Sequence, residues 1–165
     1  MTTHVRVRRA ASTASHDEKE TLAVDIIIPL HAARVTTPLF RKSRAQLIIN
    51  VGGRCYICQR TAKEAGPLEA HHFPIERCMA EMIDWSEGSL MQRDYPDFDW
   101  ASFDPADPYK FVDDMTVNGL LLCKDHHTHG DSGIHTLPHP LWIAQRYGQE
   151  GYQFSPSEVI HHDAT

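Results

Sequence analysis

Apolar residues are grouped into short, separated patches along this chain, and each patch carries its own period. The first twenty residues show no apolar period at all. They are polar, basic and then acidic, and read as an unstructured tail. Leu22–Leu30 is the first apolar run, and Asp25 and Pro29 within it suit a short strand or an extended arm over 21–37. Thr37 followed by Pro38 is a helix start, a capping hydroxyl and then a proline at the first helical position. Leu39, Phe40, Leu47 and Ile48 recur behind it at helical spacing, and Asn50, Gly52 and Gly53 end the helix.

Further along, Leu68–Phe73 reads as a strand stopped by Pro74, and Thr116–Cys123 as a strand that turns into a helix around Lys124–His129. The stretch between them, about 78–115, is acidic and aromatic, and reads as an inserted lobe whose rings pack it onto the domain. A helix is predicted over Pro140–Tyr147, stopped by Gly148. Ser155 or Ser157 beside Pro156 would start a short terminal helix containing Glu158–His161, so 136–165 is expected to be a helical extension of a core spanning 38–135. No apolar run approaches the ~20 residues of a membrane helix. One soluble domain with tails is what 165 residues, 41% of them hydrophobic and 23% charged, imply.

The net charge of -6 hides an asymmetry. Between Arg34 and Arg60 there are six basic residues and no acidic one, whereas Glu76 to Asp114 holds eleven acidic residues and three basic ones. Arg41, Lys42 and Arg44 on the first helix, with Arg54 and Arg60, form a local stripe suited to a phosphate backbone; its plainer reading is a solvated helix face. Such contacts would give affinity without base readout.

Twelve histidines and four cysteines concentrate the candidate chemistry. With no export signal in view, the cysteines suggest a cytosolic chain whose thiols bind metal or stay free. Cys55-x-x-Cys58 and Cys123-x-x-His126 are two paired half-sites, and together they offer tetrahedral zinc four ligands with no open position, a structural site. A redox Cys-x-x-Cys pair is the rival reading, but no βαβ pattern surrounds it and the second half-site would go unexplained. Cys78 has no partner and reads as a free thiol.

Next to this lies a second group. His71 and His72 are adjacent at a strand end, so their side chains diverge: one can hold a metal while the other accepts a proton from water. His127 follows the last zinc ligand and Asp131 lies four residues on, so both fall on one helix face. His71, His127 and Asp131 would leave positions for water and a phosphate oxygen. His129 competes with Asp131 for the third place, but four residues is closer to one helical turn than two. Glu69 is a candidate acceptor that orients a ligand histidine, or else an exposed strand residue. His135, His139, His161 and His162 have no motif to assign them.

Cys55-x-x-Cys58, then Leu68-Glu69-Ala70-His71-His72, then Asn118-Gly-Leu-Leu-Leu-Cys123-x-x-His126-His127 resembles the HNH endonuclease family in its zinc-knuckle form, over roughly residues 38–131. The resemblance implies an α+β fold: a ββα-metal core, here with a basic N-terminal helix, a structural zinc knuckle and an acidic inserted lobe. It implies His71 as the first catalytic metal ligand, His72 as general base, Asn118 as the residue bracing the loop and orienting that base, and His127 as the helix ligand. The gap from His72 to Asn118 is longer than the family's, and Phe73 and Pro74 follow the base at once. The activity implied is metal-dependent hydrolysis of phosphodiester bonds in DNA, RNA being a second candidate, with a structural Zn2+ and a catalytic Mg2+, Mn2+, Ni2+ or Zn2+. The rival reading is a non-catalytic zinc-knuckle module that binds nucleic acid or a protein partner.

Overall fold

The computed structural model describes residues 33, 35–147, 151, 153–155 and 158–161. The expected tail and the Leu22–Leu30 run lie outside them. The described chain is a mixture of short helices and one small two-stranded antiparallel sheet, with a second strand pair near its end. Among the described residues no helix is long and apolar enough to cross a membrane.

Helix α1 (Pro38–Asn50) begins as its sequence dictates: Thr37 is extended, its Oγ1 accepts from the Phe40 amide at 3.0 Å, and Pro38 follows at the first helical position. Gly52 and Gly53, both at positive φ (63° and 64°), then turn the chain into the cysteine knuckle. A one-turn helix, α2 (Ala62–Ala65), is held by a capping box between Thr61 and Glu64. It leads into β1 (Leu68–His72), which pairs with β2 (Gly119–Cys123) from Leu68↔Cys123 to His72↔Gly119.

Helix α5 (Lys124–Thr128) starts at the residue after β2. Strand alternation sorts the side chains of this unit. Ala70 and Leu121 pack with Leu47 and Met115, and His72 stacks on Phe40 at 5.5 Å, so one face of the sheet meets α1. Glu69, His71, Leu120 and Leu122 point the other way, toward α5 and a core of Cys55, Ile57, Cys58, Cys123 and Trp142. The fold is therefore layered: α1, the strand pair, then the knuckle with α5 and α6 (His139–Tyr147).

The acidic segment between the strands contains α3 (Leu90–Asp94) and α4 (Tyr109–Val112) with two short 3-10 turns. Its rings do not mainly pack onto the domain, as the sequence suggested. They build a core of their own around buried Phe111, which meets Phe98 at 5.0 Å, Tyr95 at 5.1 Å, Trp85 at 5.3 Å and Trp100 at 5.7 Å. Beside the packing of Met115 on Leu47 and Leu121, polar contacts tie the lobe down. Buried Ser43 of α1 donates to the Asp113 carbonyl at 3.0 Å and accepts from the Met115 amide at 2.9 Å.

Asn118 closes the lobe at its base. It is fully buried, accepts from the Ile75 amide at 3.0 Å, and donates to the carbonyls of Ile75 at 2.8 Å and Val112 at 2.9 Å. All the groups of one amide are thus satisfied.

The terminal region departs from the expected helix. β3 (Gln153–Ser155) and β4 (Glu158–Val159) form an antiparallel pair, closed where the Gly151 amide donates to the Ile160 carbonyl at 2.7 Å. Phe154, Val159 and Ile160 favour strand over helix, and Gly151 sits at φ 75° just ahead of β3.

A Cβ placed on Gly119 would lie 2.4 Å from the Met115 carbonyl oxygen, which is backbone and has nowhere to move. Gly119→Ala should therefore lower stability by about 1–3 kcal/mol, read as a fall in the midpoint of chemical unfolding.

Candidate metal centres

Residues 54–61 form a tight loop in which the Cys55 amide donates to the Arg60 carbonyl at 2.9 Å and the Gln59 amide to the Cys55 carbonyl at 2.9 Å. The Tyr56 amide donates to the Leu121 carbonyl at 2.7 Å, which ties this loop to β2. Cys55 and Cys58 thereby meet Cys123 and His126, which bracket the start of α5. All four are buried, and their ligand atoms lie within 4.8 Å of one another.

The separations Cys58 Sγ to Cys123 Sγ at 4.0 Å and Cys55 Sγ to His126 Nδ1 at 3.8 Å match a tetrahedron with bonds of ~2.3 Å to sulfur and ~2.0 Å to nitrogen, whose edges are about 3.6–3.8 Å. Cys123 Sγ to His126 Nδ1 is closer, at 3.1 Å. The cluster can hold a structural metal such as zinc. Three thiols this close cannot all ionise alone: hydrogen bonds from Cys123 and then Cys55 drive Cys58 strongly toward thiolate, while contacts with Cys55 and Cys58 push Cys123 strongly upward. A divalent cation resolves the conflict, since every sulfur can then be a thiolate.

Arg60 belongs to this cluster. Its Nε donates to Cys58 Sγ at 3.3 Å and its other arm reaches Asp125 at 3.6 Å, and the Cys58 sulfur raises the guanidinium's pKa. The sequence reading placed Arg60 on a phosphate backbone. In the structure its Nε lies on the Cys58 sulfur, with the side chain one-third exposed.

Of the other basic residues, Arg44 is half-buried with its guanidinium on the Leu68 carbonyl at 3.4 Å, and Arg54 donates to the Gln59 carbonyl at 2.9 Å. Arg41 is exposed and donates to the Thr36 carbonyl at 3.1 Å, and Lys42 is exposed next to it. The expected stripe is thus divided between exposed and structural positions.

The second cluster lies on the α5 face. His71, His127 and His135 bring one ligand atom each to within 4.8 Å of one another. Their rings are nearly equidistant, at 5.1 Å (71–127), 4.8 Å (71–135) and 5.1 Å (127–135). His71 is buried, His127 half-buried and His135 exposed, so the group opens to solvent on one side. Glu69 Oε2 meets His127 Nδ1 at 2.5 Å, leaving Nε2 of that ring for other work, and Glu76 Oε1 lies 3.2 Å from His71 Nε2.

The third member differs from the expected Asp131 or its competitor His129, because α5 ends at Thr128 and His129 is already extended (φ -65°, ψ 144°). Helical spacing therefore does not carry from 127 to 131. The chain reverses instead: the Gly133 amide donates to the His129 carbonyl at 2.9 Å and the Ile134 amide to the His126 carbonyl at 3.0 Å, which returns His135 to the cluster. The signal available in the sequence was the pair Gly130 and Gly133 between histidines, a reversal that brings a later residue back over an earlier one.

His72 leaves the opposite face of β1. It is 9% exposed, lies against Phe40, and its Nε2 is 3.4 Å from Asp113 Oδ1. Asp113, which the sequence did not single out, also accepts from Thr37 Oγ1 at 3.0 Å and Arg77 Nε at 3.1 Å. Burial alone would raise its carboxyl, but the hydrogen bonds from His72 and Thr37 and the Arg77 guanidinium outweigh that and hold it below its ordinary 3.8. A carboxylate only accepts, so the His72 nitrogen that faces it, Nε2, is the donor.

Two outcomes follow. Cys58→Ser, or a strong chelator at neutral pH, should abolish cooperative unfolding seen by near-ultraviolet circular dichroism, while His127→Ala should melt close to the unaltered chain. Asp113→Asn takes a charge partner from buried Arg77 and should cost about 3 kcal/mol near pH 7. Because the folded carboxyl lies below 3.8, its contribution is present above that pH and fades as pH falls below it, so the gap between the two proteins should narrow in acid. No protein-family model, curated protein or solved structure matches this chain.

Proposed function

We propose that the protein is a metal-dependent endonuclease of HNH type that hydrolyses phosphodiester bonds of DNA. The observation that carries this reading is the pairing of two unlike ligand clusters on one strand–strand–helix unit, the buried Cys55, Cys58, Cys123, His126 group and the solvent-open His71, His127, His135 group. A structural ion needs the first kind of cage, and a reaction needs the second. His126 and His127 are consecutive yet belong to different clusters, as the motif resemblance implies.

A divalent ion at the open histidines would supply Lewis-acid stabilisation of charge on the phosphoryl group and the departing oxygen. His72 would be the general base: its Nε2 faces Asp113, and Nδ1 can take the proton of the attacking water once the strand end turns the ring from the α1 face of β1 toward the open histidines. Asn118 fixes the loop after His72 by three hydrogen bonds to Ile75 and Val112, and so sets where the strand end points. Exposed Arg41, Lys42 and Arg54 supply backbone affinity that weakens as salt rises.

The slight exposure of His72 favours a second reading, a zinc module that binds nucleic acid or a protein partner without cutting. Nicking of supercoiled plasmid with added divalent metal separates the two. The unaltered chain should nick, and His72→Ala, which loses its ring contact with Phe40 and its bond to Asp113 and should melt lower, should lose about 10²–10⁴-fold in rate at a temperature where it stays folded. A chain that binds plasmid but leaves it intact under every metal belongs to the second reading.

A further inference from the structure

We propose that His135 is the third protein ligand of the open centre, and that the three imidazoles select a nitrogen-preferring divalent transition ion such as zinc, nickel or cobalt over magnesium. This rests on the reading of His71 and His127 as metal ligands.

The donor set carries the selectivity. Magnesium takes oxygen ligands in octahedral array and gives up its waters reluctantly, whereas imidazole suits zinc, nickel and copper. Two carboxylates flank the group, each on one imidazole, Glu76 on His71 and Glu69 on His127, so three nitrogens converge while each oxygen is held at the edge by a ring. Glu69 fixes the ring of His127 through Nδ1, which aims Nε2 away from the carboxylate.

His135 does not arrive on a loose loop. A Cβ on Gly133 would lie 2.6 Å from the His129 carbonyl oxygen and 2.9 Å from that of His127, so only glycine allows the turn to fold this closely against the end of α5. Ser132 Oγ donates to the Asp125 carbonyl at 2.9 Å and Thr136 Oγ1 to the His129 carbonyl at 2.9 Å, on either side of it. Ile134 is bonded to the carbonyl of His126, itself a member of the closed cluster. The ring of His135 is therefore placed before any ion binds. Its exposure leaves the outer positions of the ion for water or a phosphate oxygen.

The test is calorimetric titration of the untagged full chain, loaded with one knuckle zinc, using NiCl2 or MgCl2 alone. One further Ni2+ should bind per chain, with no heat from Mg2+ at the same concentrations. Glu69→Gln should weaken Ni2+ by about 10–100-fold, His135→Ala by more than Glu69→Gln, and Gly133→Ala should weaken it without removing a ligand. Asp131→Ala and His129→Ala should bind like the unaltered chain. Retained knuckle zinc and an unchanged melt in each variant show that the loss is local.

Equal Ni2+ affinity in His135→Ala, or Mg2+ binding as tight as Ni2+, overturns the proposal. Plasmid nicking separates it from the reading it rests on: Ni2+ binding that depends on His135, in a chain that never nicks, leaves the metal site standing and removes the nuclease. Nicking with Mg2+ that His135→Ala leaves unchanged does the reverse.

Discussion

The meeting of Cys55 and Cys58 with Cys123 and His126 is the constraint on which the rest of the structure depends. It joins a loop that follows α1 to a helix start more than sixty residues later, across the whole acidic lobe. A structural zinc ion contributes about 10–16 kcal/mol to folding, comparable with the entire net stability of an ordinary domain. Buried Ile57, Leu122 and Trp142 pack around it, with a half-buried rim that includes Tyr56, Leu68 and Ile134. Among the described residues there are only two-stranded sheets and helices of four to thirteen residues, so the cluster carries much of the task of holding those ends together.

The paired strands convert this clamp into a division of labour. Successive residues of β1 face opposite layers, so His71 joins the imidazoles over α5 while His72 joins Phe40, Asp113 and α1. Each histidine is then set by different neighbours, and the polar network around Asp113 links the α1 cap, the strand end and the lobe in one buried cluster.

Legibility in the sequence followed how local each signal is. Thr37-Pro38 and the Leu47 stripe gave α1, because capping and helical period are near-neighbour effects. The two x-x spaced half-sites gave the closed cluster, because a tight turn fixes ligand geometry within four residues. Helical spacing reaches Asp131 only if α5 runs past Thr128, where it stops, whereas the position of His135 is set by a reversal at Gly133 that no period announces. Asp113 and Ser43 were invisible for a related reason: their partners lie 41 and 70 residues away in sequence. Arg60 counted as a surface cation because nothing in its neighbourhood reveals that its partner is a sulfur two residues back.

The side chain of Asn118 grips Ile75 and Val112 at once, so the acidic lobe leaves and re-enters the fold at a single point. Its entrance and exit are neighbours, like the two ends of an ordinary reverse turn. The entropy of closing such a loop rises only logarithmically with its length. The distance along the chain between the strands is thereby uncoupled from their register, and the stretch from the lobe's entry to its exit can lengthen, shorten or change character without moving a single rung of the ladder.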